Sequence, residues 1–430
     1  MPPSAPAAAA GLQVVRSRQS GVPDSANPAL PVPTLAPGIR RATLPVTLLV
    51  QAASAAAMVA PTVAAPLLLQ RLQLGAAAVG VYIALVYLGA MAATQLGPLC
   101  VRRWGAIRTS QLALLLSATG LLLLTVPDLR VVALGAVIGG LGYGPITPAS
   151  SQMLSRTTDP CHFSLVFSIK QTGVPLGGVI AGLMVPPLAG WRGVDAALVA
   201  SAALCALAAA SALPLRRALD HDREPGAAWP ALRRLVEPLV FVALHPVLRH
   251  VAVVSFVYSM VQVSLTSYLV SFVNGELGWT LVAAGAALAA AQTAGVVGRI
   301  GWGLVSDRWL GPRHTLLMLG AVSLACGLAL PLLAPRGWPG LLLALLCLYG
   351  ATAIGWNGVY LATVARLVPQ ADAARATGGT LFFTFLGVLL GAPVFGALGT
   401  ALGSLAWAFA LLGLPLAAVL VLLARSRWPV

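Results

Sequence analysis

Lys170 is the only lysine in a chain that carries twenty-five arginines. It sits about seven residues inside an otherwise apolar run that begins near Phe163, a depth of roughly 10 Å at 1.5 Å per helical residue. A cation at that depth is costly and as a rule functional, and the chemistry it offers is attraction of an anion or of a neutral, strongly polar solute. Lys170, Gly173, Gly177 and Ala181 follow at i, i+3, i+7 and i+11, a small-residue face suited to packing on protein. Pro175 has no N–H, which leaves the carbonyl of Gln171 without its helical donor and open to a polar contact. The alternative for Lys170 is that it snorkels to the membrane surface.

Further polar side chains interrupt the apolar runs: Gln51, Ser54, Tyr143, Gln152 and Gln171 in the first half, and Tyr258, Gln262, Tyr268, Gln292, Trp356, Asn357 and Tyr360 in the second. The candidates for contact with a small solute are Lys170, Gln171, Tyr143, Trp356, Asn357, Tyr360, Gln262 and Gln292. Tyr143 and Asn357 lie 214 positions apart and are expected to face each other across a shared cavity. For each of these groups the plainer role is an interhelical hydrogen bond worth about 1 kcal/mol. Acids and histidines keep to the ends of the runs: Asp128, Asp195 and Glu276 at one set, His162, His245, His250 and His314 at the other. A deep titrating carboxylate, as cation or proton coupling usually needs, is missing. Neither a nucleophile beside a base nor a metal-ligand cluster is legible, and Cys100, Cys161, Cys205, Cys326 and Cys347 have no CxxC spacing. The chain therefore reads as a non-enzyme without metal or cofactor.

Two loops repeat. Gly97-Pro-Leu-Cys-Val101-Arg102-Arg-Trp-Gly105 returns as Gly303-Leu-Val-Ser-Asp307-Arg308-Trp-Leu-Gly311, with glycine, arginine and glycine each displaced by 206 positions. Gly173-Val-Pro-Leu-Gly177 returns as Gly387-Val-Leu-Leu-Gly391 and Gly144 as Gly358, each 214 positions on. Duplication of one half explains both offsets, with a small insertion between them. Gly303 and Gly311 permit close helix approach and a tight turn. Asp307, beside Arg308 and Arg313, can pair with a cation or meet a helix end. Val101 stands where the second copy has that acid. Arg299, four residues before Gly303, is expected to snorkel or to pair with Asp307.

The elements that position these groups must be membrane helices. At 59% hydrophobic and 9% charged the chain is far from a soluble domain, in which roughly a quarter of residues are charged. Twelve runs approach the roughly 20 apolar residues a crossing needs: about 44–69, 77–98, 109–126, 131–154, 164–189, 194–214, 249–273, 280–302, 315–334, 338–364, 377–400 and 404–424. The fold class is an all-α membrane protein of two six-helix bundles. Its expected parts are a disordered tail over 1–41, a bundle over 42–214, a linker over 215–248, a second bundle over 249–424 and a short tail over 425–430. With both termini in the cytoplasm, twenty arginines fall in or beside cytoplasmic segments, and only Arg71, Arg130, Arg192 and Arg336 fall on the opposite side. The net charge of +15 then reports topology and anionic headgroups rather than nucleic-acid binding.

Two six-helix halves, a central linker and the stretch Gly298-Arg299-Ile-Gly-Trp302-Gly303-Leu-Val-Ser-Asp307-Arg308-Trp-Leu-Gly311-Pro-Arg313 resemble the major facilitator superfamily of secondary transporters over about residues 42–424. The resemblance implies alternating access and a cytoplasmic gate built from Gly97, Arg102, Gly105, Gly303, Asp307, Arg308, Gly311 and Arg313. The other reading of those loops is a topogenic one, arginines that merely stay inside. With a buried cation and no buried acid, the expected cargo is a small organic anion such as a monocarboxylate, moved across an inner membrane. Efflux of neutral lipophilic compounds, or a receptor or scaffold role, are the alternatives. The expected partners are that solute and the lipid bilayer, with a monomer as the superfamily's default.

Overall fold

A computed structural model describes residues 36–159, 163–221, 223–227, 232–369 and 372–426. The tail up to residue 35, with Arg16 and Arg18, and Cys161, His162, Asp222, Pro230 and Arg427 lie outside the described residues. Eleven apolar segments are long enough to cross a bilayer, and one of them, Leu281–Arg336 at 56 residues, has twice the needed length. It doubles back at Gly311, whose φ of +70° is left-handed territory, so the crossings number twelve.

The first half holds α1 (Pro37–Val63), α2 (Ala77–Trp104), α3 (Ala106–Leu123), α4 (Leu129–Tyr143 continued by Ile146–Thr157), α5 (Phe163–Gln171 continued by Gly173–Arg192) and α6 (Val194–Ser211). The second holds α7 (Leu248–Ser271), α8 (Leu281–Val305), α9 (Gly311–Leu333), α10 (Pro339–Ala353 continued by Asn357–Arg366), α11 (Ala373–Leu402) and α12 (Leu405–Leu411 continued by Gly413–Arg425). Helix α1 starts at Pro37, so Arg40 and Arg41, assigned above to the tail, are helical. A further helix, Leu232–Leu244, lies between the halves in sequence and packs on α11.

Helix contacts repeat with a step of six. The pair α1 with α5 recurs as α7 with α11, α2 with α4 as α8 with α10, and α3 with α6 as α9 with α12. Between halves, α2 meets α11 and α5 meets α8, each the image of the other, while α1 meets α7 on the axis. With an even number of crossings, Pro37 and Arg425 share one face, called here the termini face, and the opposite one is the far face. Small residues set the seam between halves. A Cβ on Gly182 of α5 would stand 2.6 Å from the carbonyl oxygen of Gly285 on α8, so the two backbones touch.

Loop chemistry at the helix ends follows from orphan backbone groups. The carboxylate of Asp128 accepts from the N–H groups of Arg130 and Val131 and starts α4. Glu276, at the end of α7, reaches over to accept from the N–H groups of Leu405 and Ala406 at the start of α12. On the termini face Asp220, a few residues past the end of α6, accepts from Ile107 and Arg108 at 2.9 and 3.0 Å and caps α3. At the matching place in the second half Arg313 donates to the carbonyls of Leu423 and Ala424, which end α12. The same junction is closed once by an anion at a helix start and once by a cation at a helix end.

Candidate functional site

Lys170 is 1% exposed, so it does not snorkel. Its ammonium has one polar contact among the described residues, Gln171 Oε1 at 3.3 Å. The small-residue face behaves as its spacing requires. Gly173 sits over the side chain of Gln51, Gly177 lies against the α1 backbone at Ala52 and Ala56, and Ala181 is fully buried. That face presses on α1 and holds Lys170 inside. Directly under Gly173, the Oε1 of Gln51 is buried without a hydrogen-bond partner.

Pro175 has the consequence read from its missing N–H. The carbonyl of Gln171, at the break in α5, accepts from Nη1 of Arg299 at 2.9 Å. Arg299 belongs to α8, in the other half, and its Nε donates to the carbonyl of Ile354 at the break in α10, at 3.1 Å. The expectation that Arg299 snorkels or pairs with Asp307 is thus overturned: two backbone carbonyls at helix breaks outcompete a distant acid. Arg299 stitches α5, α8 and α10 together and lies in electrostatic reach of the Tyr143 hydroxyl.

In the second half, Oε1 of Gln262 on α7 accepts from Nε1 of Trp356 at 2.9 Å and from Nδ2 of Asn357 at 3.0 Å. Trp356 is fully buried between Tyr258 and Tyr360, at ring-centroid separations of 5.5 and 5.1 Å. Tyr360 is buried beside Thr384 of α11. Gln292 of α8, 2% exposed, fills the space opposite Gly178 of α5. Tyr143 and Asn357 are not joined. Asn357 is tied to Gln262, while Tyr143 packs on Tyr87 of α2, and Tyr87 on Phe385 of α11, at 6.1 and 6.0 Å. Arg299, Tyr87 and Phe385 are the seam residues that sequence reasoning did not single out for the site. The freed carbonyl of Gln171 was the one signal that an inter-half donor should exist.

The loop residues divide. Gly97 brings α2 onto Pro148 of α4, and Gly105, with φ +91°, makes a turn in which any side chain would run into Asp220. Arg102 forms an ion pair with Glu224, whose own N–H donates to the Arg102 carbonyl at 2.7 Å. The linker thereby supplies an acid where Val101 has none, and Val101 packs into an apolar cluster with Ile107, Met153 and Leu215. Asp307 pairs with Arg366 of α10 at 2.8 Å rather than with Arg308 or Arg313. Arg308 is exposed, and Gly303 faces open space, so the close approach expected there is absent. Two cavities lie at the α1–α2 and α3–α4 connections and the helix ends beside them on the far face, away from all these groups.

This architecture defines a multi-pass membrane protein of two six-helix halves whose polar groups collect along the seam. The family model of the Major Facilitator Superfamily matches residues 47–392, and the chain belongs to that superfamily. An uncharacterized MFS-type transporter of Mycobacterium tuberculosis, MT3072, is 28% identical over 66% of this chain and 62% of its own length, so the match leaves over a third of that relative uncovered. Monocarboxylate transporter 13 of Rattus norvegicus is 27% identical over 76% of this chain and 72% of that one. The multidrug efflux pump Tap of Mycolicibacterium fortuitum is 29% identical over 72% and 78%. A bacterial homolog of the human lysosomal transporter Spinster, solved in an inward-facing and unoccupied conformation, shares the fold with a TM-score of 0.66 at 17% identity, covering 90% of this chain and 95% of that one.

Proposed function

We propose that the chain is a secondary transporter that carries a small organic anion such as a monocarboxylate by alternating access between its halves. One observation carries this reading: a fully buried ammonium, Lys170, one residue from a carbonyl that holds a second cation, Arg299, with no acid near either among the described residues. An uncompensated buried charge is destabilising unless something pairs with it, so a passing carboxylate lowers the energy of the site it enters. The seam is tight toward the far face, at Gly182 and Gly285, and the cations stand nearer the termini face. Solute reaches Lys170 from the termini face, and the reverse rocking of the halves releases it on the other. The likeness to a monocarboxylate transporter supports this cargo. The bilayer is an inner membrane, both termini are cytoplasmic, and the working unit is a monomer.

A second reading, efflux of neutral lipophilic compounds, draws on the seam aromatics Tyr87, Tyr143 and Phe385 and on the likeness to an efflux pump. Counterflow in proteoliposomes separates the two. Saturable exchange of labelled monocarboxylates that is lost in Lys170→Ala and partly kept in Lys170→Arg supports anion transport. Lipophilic dye movement indifferent to Lys170 supports efflux, and absence of any flux in a folded protein points to a receptor or scaffold.

A further inference from the structure

Arg71 and Arg130 lie on the side that the arginine bias leaves nearly bare, and both line the same far-face cavity, of about 390 Å³, together with Leu72, Gln73, Pro127, Asp128 and Leu129. Beside it runs a second cavity of about 60 Å³, whose walls include Pro61, Ala65, Leu68, Leu72, Tyr82 and Val132 and are almost wholly apolar. The two are continuous in their walls: Leu72 lines both, and Leu74, Leu124 and Val132 of the apolar one lie within a few residues of Gln73, Pro127 and Arg130 of the polar one. A charged mouth on a greasy slot is the shape of an amphiphile.

The charges at the mouth are not equivalent. Arg71 is held by Asp195 at 2.6 Å and by the carbonyl of Thr125 at 2.8 Å, which fixes its guanidinium against the α3–α4 connection. Asp128 turns its Oδ1 to the N–H groups of Arg130 and Val131, and its charge is set against the positive start of α4. That leaves Arg130, exposed and without a side-chain partner among the described residues, as the cation open to an incoming anion. Gln73 holds the wall between the two cavities in a left-handed conformation, φ +54°, adopted by no other non-glycine residue among those described. We propose that this pair of cavities binds a single-chain carboxylate amphiphile of the fatty-acid class, its headgroup on Arg130, the first carbons of its tail in the small slot under the short helix Ala65–Leu72 and the rest of the tail in the bilayer. That helix touches α7 across the seam, so an occupant beneath it braces the halves together on the far face. The site lies apart from Lys170 and does not depend on the cargo proposed for it.

The test uses the full chain in lipid nanodiscs with an oleic acid analogue bearing a diazirine close to its carboxylate. Crosslinks are expected to map to residues 61–82 and 124–132, to be displaced by oleate, and to fall at least fivefold in Arg130→Gln, a surface change that leaves the fold alone. Ala78→Phe, which fills the slot, should abolish labelling while Arg130→Gln only weakens it. Displacement by lysophosphatidylcholine but not oleate would assign the site to a zwitterionic lipid and overturn the proposal. So would labelling spread evenly over the lipid-facing helices, or labelling that neither variant changes.

Discussion

Replacing Gly182 with alanine tests whether the halves move. The new Cβ would stand 2.6 Å from the Gly285 carbonyl oxygen and 3.2 Å from the Ala289 nitrogen, and both neighbours are backbone atoms that cannot turn aside. Ordinary van der Waals contact begins near 3.4 Å, so α5 and α8 must part by several tenths of an ångström in the far-face-closed arrangement. Overpacking of this kind costs about 1 to 3 kcal/mol. The strain exists only while the two glycines touch, so it destabilises the closed seam and not the arrangement in which the far face opens. A free-energy difference of that size moves the population ratio by about 5- to 150-fold. Spin labels at Gly190 and Gly275, on opposite halves and both facing open space, report the separation by pulsed dipolar spectroscopy in a cysteine-free background. A longer-distance population should grow in Gly182→Ala, and Gly301→Ala, where a Cβ meets open space, should leave it unchanged. If the thermal midpoint falls while the distance distribution stays the same, the bundle is static at this seam and alternating access between these halves is refuted.

Asp220→Ala leaves the Ile107 and Arg108 N–H groups without their acceptor at a buried helix start, and a loss of about 1 to 2 kcal/mol in thermal unfolding is expected. Burial raises the Asp220 carboxyl above its ordinary value, against the opposing pull of those two N–H groups and of Arg216 and Arg156. A raised folded-state pKa gives stability that is fully present below the unfolded carboxylate value and is lost as pH rises through the folded one. The deficit of Asp220→Ala should therefore be larger at pH 4 than at pH 7, and a deficit that grows with pH contradicts the assignment. Asp307→Asn breaks an ion pair whose side chains are 56% and 48% exposed and belong to one half, so stability should change by less than about 1 kcal/mol and the half-to-half distance distribution should stay as it is. A large shift between states in that variant would support the gate role expected for this loop.

Long apolar runs and arginine bias made the twelve crossings legible, because a bilayer permits few other uses for such runs. The 206-residue offset landed on a shared physical need: Gly105 and Gly311 both take positive φ at the turn into the third helix of their half. What stayed hidden was partner choice. Arg299 meets the carbonyl of a residue 128 positions away, and Arg102 meets an acid 122 positions away in the linker. Helical periodicity tells which side chains share a face of one helix, but says nothing of which face of another helix opposes it. Pro175 was the exception, since a missing donor announces a free acceptor whatever the tertiary structure.

The seam itself argues for motion. Toward the far face the halves meet through backbone at Gly182 and Gly285, a contact that holds by close packing and parts without leaving a buried charge unpaired. Nearer the termini face the join is the Arg299 guanidinium, held within its own half by the Ile354 carbonyl and donating across the seam to that of Gln171, each carbonyl sited at a helix break. Those acceptors exist because α5 and α10 are interrupted, and an interrupted helix can bend where a continuous one cannot. On the proposed reading, an anion that draws Lys170 and Arg299 toward itself competes with those carbonyls for the same cation, which would couple cargo and seam through one side chain. Arg299→Lys keeps the charge but cannot span both carbonyls. If the seam bond and the cargo share Arg299, that variant retains anion affinity in equilibrium binding and loses exchange. Equal loss of both would assign Arg299 to cargo binding alone.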